Sequence, residues 1–206
     1  MSTSLEQLHF NLFDLVVIVV LTLGIFQGRK HGMSEESLSL VKWLAIVFGC
    51  WALYQPGGDL IAQFTTMFDR LSCYLIAYVA GVLLVFLLFA GIKRSLGGKL
   101  LGSDIFGRAE YYLGMGSGLV RASCILLAAL ALLNARYFSP TEVRALEKST
   151  NEVYGSSFFP TLHGVQSAVF DLSFTGPRIK EYLGFLLIKP TEPEHKEFHQ
   201  KEFAYP

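Results

Sequence analysis

GRAEYYLGMGSGLVRASCILLAALALLN, residues Gly107–Asn134, decides how the rest of the chain is read. It is long enough to cross a bilayer, which takes about 20 apolar residues in a helix. Its first half carries Gly114, Gly116 and Gly118, and its second half is a run of alanine and leucine. Between them stands one arginine, Arg121. A guanidinium in hydrocarbon costs at least about 2.5–3.5 kcal/mol, so it calls for a partner or a purpose.

The rest of the composition agrees with a membrane setting. Of 206 residues, 52% are hydrophobic and 17% charged, against about 25% charged in an ordinary soluble domain. The mean hydropathy is +0.43. A net charge of zero gives no reason to expect nucleic acid. Cys50, Cys73 and Cys124 are odd in number and form no CxxC pair, which argues against a disulfide framework or a zinc site. They read as small buried hydrophobes. No Lys or Arg precedes the first apolar segment, so that segment reads as a retained helix and not a cleaved signal.

Working outward from Tyr111–Asn134, three more apolar segments have spanning length: about Phe10–Gln27, Leu38–Gln55 and Cys73–Ile92. The third carries no charge at all, whereas a core helix of a soluble protein shows a polar stripe. Ser34, Glu35 and Glu36 supply a cap and anions for the start of the second helix. Pro56-Gly57-Gly58 is expected to stop it, and Gly97-Gly98 to break the chain after the third. Cations cluster after the first segment (Arg29, Lys30) and after the third (Lys93, Arg94, Lys99, Arg108). The positive-inside rule places those loops in the cytoplasm and both termini outside. Arg136, Arg144 and Lys148, just after the fourth segment, count against that orientation.

The last third changes character. Ser139-Pro140-Thr141-Glu142 is a capping box with proline at the first helical position. Phe158, Phe159, Leu162, Val165, Val169 and Leu172 recur at helical spacing, and a second short segment follows Gly176-Pro177. Two readings stay open: amphipathic helices on the outer membrane surface, or a helical cap on the bundle. From Pro190 the charged, proline-bearing tail reads as disordered. The expected architecture is therefore all-α. A polytopic four-helix transmembrane domain (1–135) precedes an extracytoplasmic amphipathic helical region (136–189) and a tail (190–206).

No GxSxG, HExxH or GxxxxGK[ST] motif occurs. His195 and His199 lie four apart in the tail, without a third ligand nearby. The chain is read as non-enzymatic, with no catalytic residue, metal or cofactor. The polar candidates are Asp14, the sole carboxylate within a span, and Arg121. Asp14 lies about 13 residues from Gln27 and Arg121 about 10 from Tyr111, which gives heights of roughly 20 and 15 Å above the cytoplasmic ends. The two are expected to pair if the first and fourth helices are neighbours. They would then serve a polar relay or a purely structural pair; otherwise Asp14 sits at the outer interface. Gly114 and Gly118 form GxxxG, as do Gly98 and Gly102. Such a face packs another helix of the chain or a second copy.

Read together, these residues resemble the colicin V production protein (CvpA) family of bacterial inner-membrane proteins. The features are Asn11-Leu12-Phe13-Asp14, Gly28-Arg29-Lys30-His31-Gly32 with Glu35/Glu36, Leu40 and Trp43, and then Gly107-Arg108, Leu113-Gly114 and Gly118-Leu119-Val120-Arg121. The resemblance covers about residues 10–135. Ala122 stands where the family usually has glycine, and the segment from Ser139 has no match. The resemblance implies a part in colicin V export or envelope integrity, with envelope or export membrane proteins, the lipid bilayer and a second copy as partners. Some larger relatives add a serine protease domain, and no triad for one occurs here. A rival reading is a small oligomeric transporter or channel with Asp14 and Arg121 in a polar path.

Overall fold

The computed structural model describes residues 10–64, 68–96, 109–145, 148 and 161–191. Gly98, Gly102, Gly107, Arg108, His195, His199 and the tail from residue 192 lie outside it, as do the side chains of Ser34 and Glu35. Four helices are long and apolar enough to span a membrane: α1 (Leu12–Met33), α2 (Glu36–Phe64), α3 (Arg70–Ser95) and α4 (Glu110–Asn134). Two shorter helices follow, α5 (Leu162–Phe170) and α6 (Gly176–Leu183), with a 3-10 turn at Gly184–Leu186. The architecture is all-α, as the periodicity indicates. Large apolar side chains stand exposed along the spans, including Ile18, Leu23 and Phe26 on α1 and Leu83, Leu84 and Leu87 on α3. Such a surface is unfavourable in water and fits a lipid solvent.

Two boundaries differ from the sequence reading. The stretch around Gly28–Glu36 is not an open loop. Helix α1 runs through Gln27, Gly28 and Arg29, and the break is confined to Gly32, at φ 71° and ψ 172°. That conformation is strained for any residue with a Cβ, so glycine is required there. The chain folds back at this point, since Phe13 near the start of α1 packs against the cluster of Ile46 and Tyr54 on α2. The second difference is Pro56, which lies inside α2 and does not end it. Proline removes one N–H from the ladder, and the helix continues to Phe64. Gly58 serves packing there. A Cβ on it would lie 2.9 Å from Tyr74 Cε1 on α3, and the Tyr74 hydroxyl donates to Asp59 Oδ1 at 3.0 Å.

Helices α3 and α4 both pack on the α1–α2 hairpin and scarcely touch each other. The α2–α3 seam is aromatic: Trp43 meets Phe86, and Tyr54 meets Tyr74, both edge to face. Cys50, Cys73 and Cys124 are buried free thiols.

The open choice for the last third resolves as a cap. Phe170, Leu187 and Ile188 are buried in one core with Ile46, Tyr54, Leu130 and Ala131 of the spans. A helix end leaves carbonyls without partners, and the cap supplies some. Gln166 Nε2 donates to the carbonyls of Leu133 and Arg136, at 3.3 and 3.0 Å. Asn134 Nδ2 donates to Ile188 O at 2.9 Å. The capping box forms reciprocally: Glu142 N donates to Ser139 Oγ, and Ser139 N to Glu142 Oε2, each at 3.3 Å.

Candidate functional site: two polar posts and a glycine seam

The seam comes first because it sets the register of everything polar. Gly24, Gly28 and Gly32 repeat at four-residue spacing on α1, and Gly114, Gly118 and Ala122 do so on α4. Small residues let helices approach until their backbones touch. A Cβ on Gly118 would lie 2.9 Å from Gly28 Cα, and one on Gly114 would lie 2.9 Å from Gly32 Cα. The run is antiparallel, with Gly24 against Gly118 and Ala122, and Gly28 against Gly114. Ala122 is 3% exposed. Its methyl faces Gly24, where a Cβ would come within 2.5 Å of it. Glycine at 24 therefore makes room for alanine at 122. The Gly114–Gly118 face is used within the chain and is covered, so it is not open to a second copy.

The first post stands near the Gly32 turn. Side chains on a helix lean toward its N-terminus. Arg121 therefore leans along α4 toward Glu110, the end that lies against the turn. Its Nη1 lies 2.6 Å from Glu36 Oε1 in the first turn of α2. Its Nη2 donates to Gln27 Oε1 on α1. One guanidinium thus ties three helices. The Glu36 side chain is 4% exposed and that of Arg121 14%. The close Nη1–Oε1 approach is an ion pair whose angles do not make a hydrogen bond, and Arg121 Nε has no partner among the described residues. The anionic Glu36 also sits at the positive end of α2, which favours it further.

The second post is Asp14, 2% exposed near the opposite end of α1. Its carboxylate accepts from Phe174 N at 2.9 Å, Thr175 N at 2.9 Å, Thr175 Oγ1 at 2.6 Å and Asn11 N at 3.0 Å. Asn11 Nδ2 adds a bond to Ala168 O at 3.1 Å. The Asp14–Arg121 pair expected from the sequence is therefore corrected. Helices α1 and α4 are neighbours, but each charged group is satisfied by something else. Asp14 stands at the cap end of the bundle, and there it latches the cap to the first helix.

Of the polar residues singled out beforehand, Gly28 and Gly32 belong to the seam. Arg29 lies over the Tyr111 ring at 4.8 Å. Glu35 has no described side chain. Glu36, Gln27, Gly24 and Thr175 were not assigned these roles. For Gly24 the signal was present in the glycine spacing; for Thr175 none was, because backbone N–H donors leave no mark in a sequence.

Removal of the latch has a measurable result. Hydrogen bonds to a charged group are each worth about 1.5–3 kcal/mol. Asp14→Ala is expected to free the cap, so that trypsin cuts faster after the exposed Arg178 and Lys180 while helical content holds. An unchanged cleavage rate would show that apolar packing alone secures the cap.

Searches of curated proteins and of solved structures each returned no match. The family model described as "Colicin V production protein" matches residues 13–166. The match runs from beside Asp14, through both partners of Arg121, into α5, so the family pattern extends past the spans into the cap. It covers most of the chain, which therefore belongs to the colicin V production protein family.

Proposed function

We propose that the protein is a non-enzymatic accessory protein of the bacterial inner membrane, acting in colicin V production or export or in envelope maintenance. Both termini lie on the periplasmic side. The observation that carries this reading is how the buried charges are used. Arg121 and Asp14 are both committed to holding parts of the molecule together, one joining three spans and the other fixing the cap. Family membership supplies the setting. The basic residues Arg29, Lys30, Lys93 and Arg94 near the Gly32 end support the orientation.

Two experiments test it. A reporter fused after Asn134 should be active outside the cytoplasm, and activity confined to the cytoplasm would contradict the orientation. In a deletion strain, restored toxin secretion or detergent resistance should survive the joint replacement Glu36→Gln with Arg121→Leu, once expression is matched. Loss of function with normal accumulation would mean that the pair takes part in transport.

A further inference from the structure

The cap reaches deeper into the bundle than its two anchors. Thr175 is held by Asp14 near the start of α1, and Ile188 by Asn134 at the end of α4. Both anchors lie at the same end of the bundle. Between them, Leu186 is buried in one cluster with Val47 of α2 and Cys124 of α4, and Leu183 packs against that cluster. Cys124 lies ten residues inside the end of α4, about 15 Å at 1.5 Å per residue. Val47 lies seven residues before Tyr54, about 10 Å on the same scale, and the Tyr54 hydroxyl accepts from Lys189 N at 3.4 Å. The chain therefore descends along α6, turns at Gly184–Leu186 and climbs back to the end it left.

Backbone that is not helical survives at such a depth only where protein covers it and satisfies its polar groups. Leu187, extended at φ −80° and ψ 151°, is 2% exposed, and Ile188 is 0% exposed. Leu187 N donates to Gly184 O at 3.2 Å, and the spans supply Tyr54 to Lys189 N and Asn134 to Ile188 O. The other side of the turn is bare. Phe185 is 59% exposed, and its ring meets Trp51 edge to face at 6.0 Å. Trp51 and Phe48 are exposed one turn apart on α2, so Phe185 continues a surface that this span already presents to lipid. The basic groups of α6 stay nearer the boundary. Arg178 lies over the Phe174 ring at 4.1 Å and Lys180 over the Phe170 ring at 5.6 Å. Both rings precede α6, so the cations reach back toward its start, as long basic side chains do at a membrane surface. Glu181 and Tyr182 are exposed beside them.

We propose that residues 183–188 are a re-entrant segment, which enters the cap-side leaflet between α2 and α4 and leaves on the same side, with Phe185 against lipid acyl chains and Tyr182 at the headgroup boundary. Tyrosine suits that boundary because its ring is apolar and its hydroxyl can stay wet. The occupant is lipid because Phe185 adjoins the exposed Trp51 of a span. The proposal rests on membrane embedding of the four spans and not on the part played in toxin production.

The test uses the full chain in phosphatidylcholine nanodiscs, with a nitroxide spin label on Phe185→Cys. Collision rates are measured against oxygen, which concentrates among acyl chains, and against a nickel chelate, which stays in water. The native thiols are buried, and the unsubstituted chain gives the background labelling. Leu23→Cys, exposed near the middle of α1, is the lipid reference, and Leu162→Cys, exposed on α5, is the reference for the outer surface of the cap. The ratio of oxygen to chelate collisions at 185 should shift to the value at 23 and away from that at 162. Tyr182→Cys is an independent variant at a more exposed position, and its ratio should fall between the two references. Ratios at 185 and 182 equal to that at 162 would overturn the proposal. So would low collision with both reagents at 185, which would mean that a second protein surface covers the turn.

Discussion

Arg121→Leu is expected to cost the folded protein about 3–5 kcal/mol, and adding Glu36→Gln to return most of that loss. The asymmetry follows from burial. Taking Arg121 away leaves the Glu36 carboxylate, 4% exposed, without its cation. A lone buried charge is far more costly than a lone buried amide. Gln27 also loses a donor, but a neutral amide is a smaller burden. With glutamine at 36 and leucine at 121 neither member of the buried pair is charged, and replacing a buried ion pair by neutral groups is often close to neutral. Thermal unfolding in mild detergent and accumulation in the membrane both report it. The single variant should fall well below the wild type, and the double variant should recover. If both fall equally, the pair is not what stabilises this end of the bundle.

The glycine seam gives the second large effect. Gly118→Leu is expected to destabilise the protein by about 3 kcal/mol, near the upper end of overpacking penalties. A Cβ at 118 already lies 2.9 Å from Gly28 Cα and 3.0 Å from Gly28 N. These are backbone atoms of a helix and cannot rotate aside, so α1 and α4 must separate, taking the guanidinium away from Gln27. Gly116→Leu is the control within the same helix. Nothing lies within 4 Å of a Cβ there, so the change should stay within about 0.5 kcal/mol. Two glycines two residues apart should therefore differ by nearly the whole effect. Similar losses at both would mean that helix propensity, and not close packing, sets the role of glycine in α4.

Much of this was legible in the residues. The four spans follow from apolar runs, because each long run without a polar stripe needs lipid around it. The small-residue face of α4 was legible from Gly114 and Gly118, and its partner from the same spacing at Gly24, Gly28 and Gly32. The partner was obscured because Arg29, Lys30 and the acids after Gly32 look like a surface loop, although the backbone there is helical on both sides of one glycine. That boundary also misled the depth argument. Helix α1 runs on from Gln27 to Met33, about 9 Å at 1.5 Å per residue, which puts Asp14 that much further from the turn than expected. Arg121 leans the other way. Glu36 was legible as an anion at a helix start, but not as the counter-ion, because its approach to Arg121 depends on the fold-back at Gly32. The Asp14 latch was beyond reach for a different reason. Its partners are the backbone of Phe174 and Thr175, placed by a cap about 160 residues away in sequence.

The measurement that bears most directly on the account is a pair of double-mutant cycles sharing Arg121→Leu, one with Glu36→Gln and one with Asp14→Asn, read as unfolding free energies in one detergent. The structure predicts a coupling of about 2 kcal/mol or more between Glu36 and Arg121, and between Asp14 and Arg121 a value within the roughly 0.5 kcal/mol seen for independent sites. Strong coupling to Asp14 with none to Glu36 would contradict it.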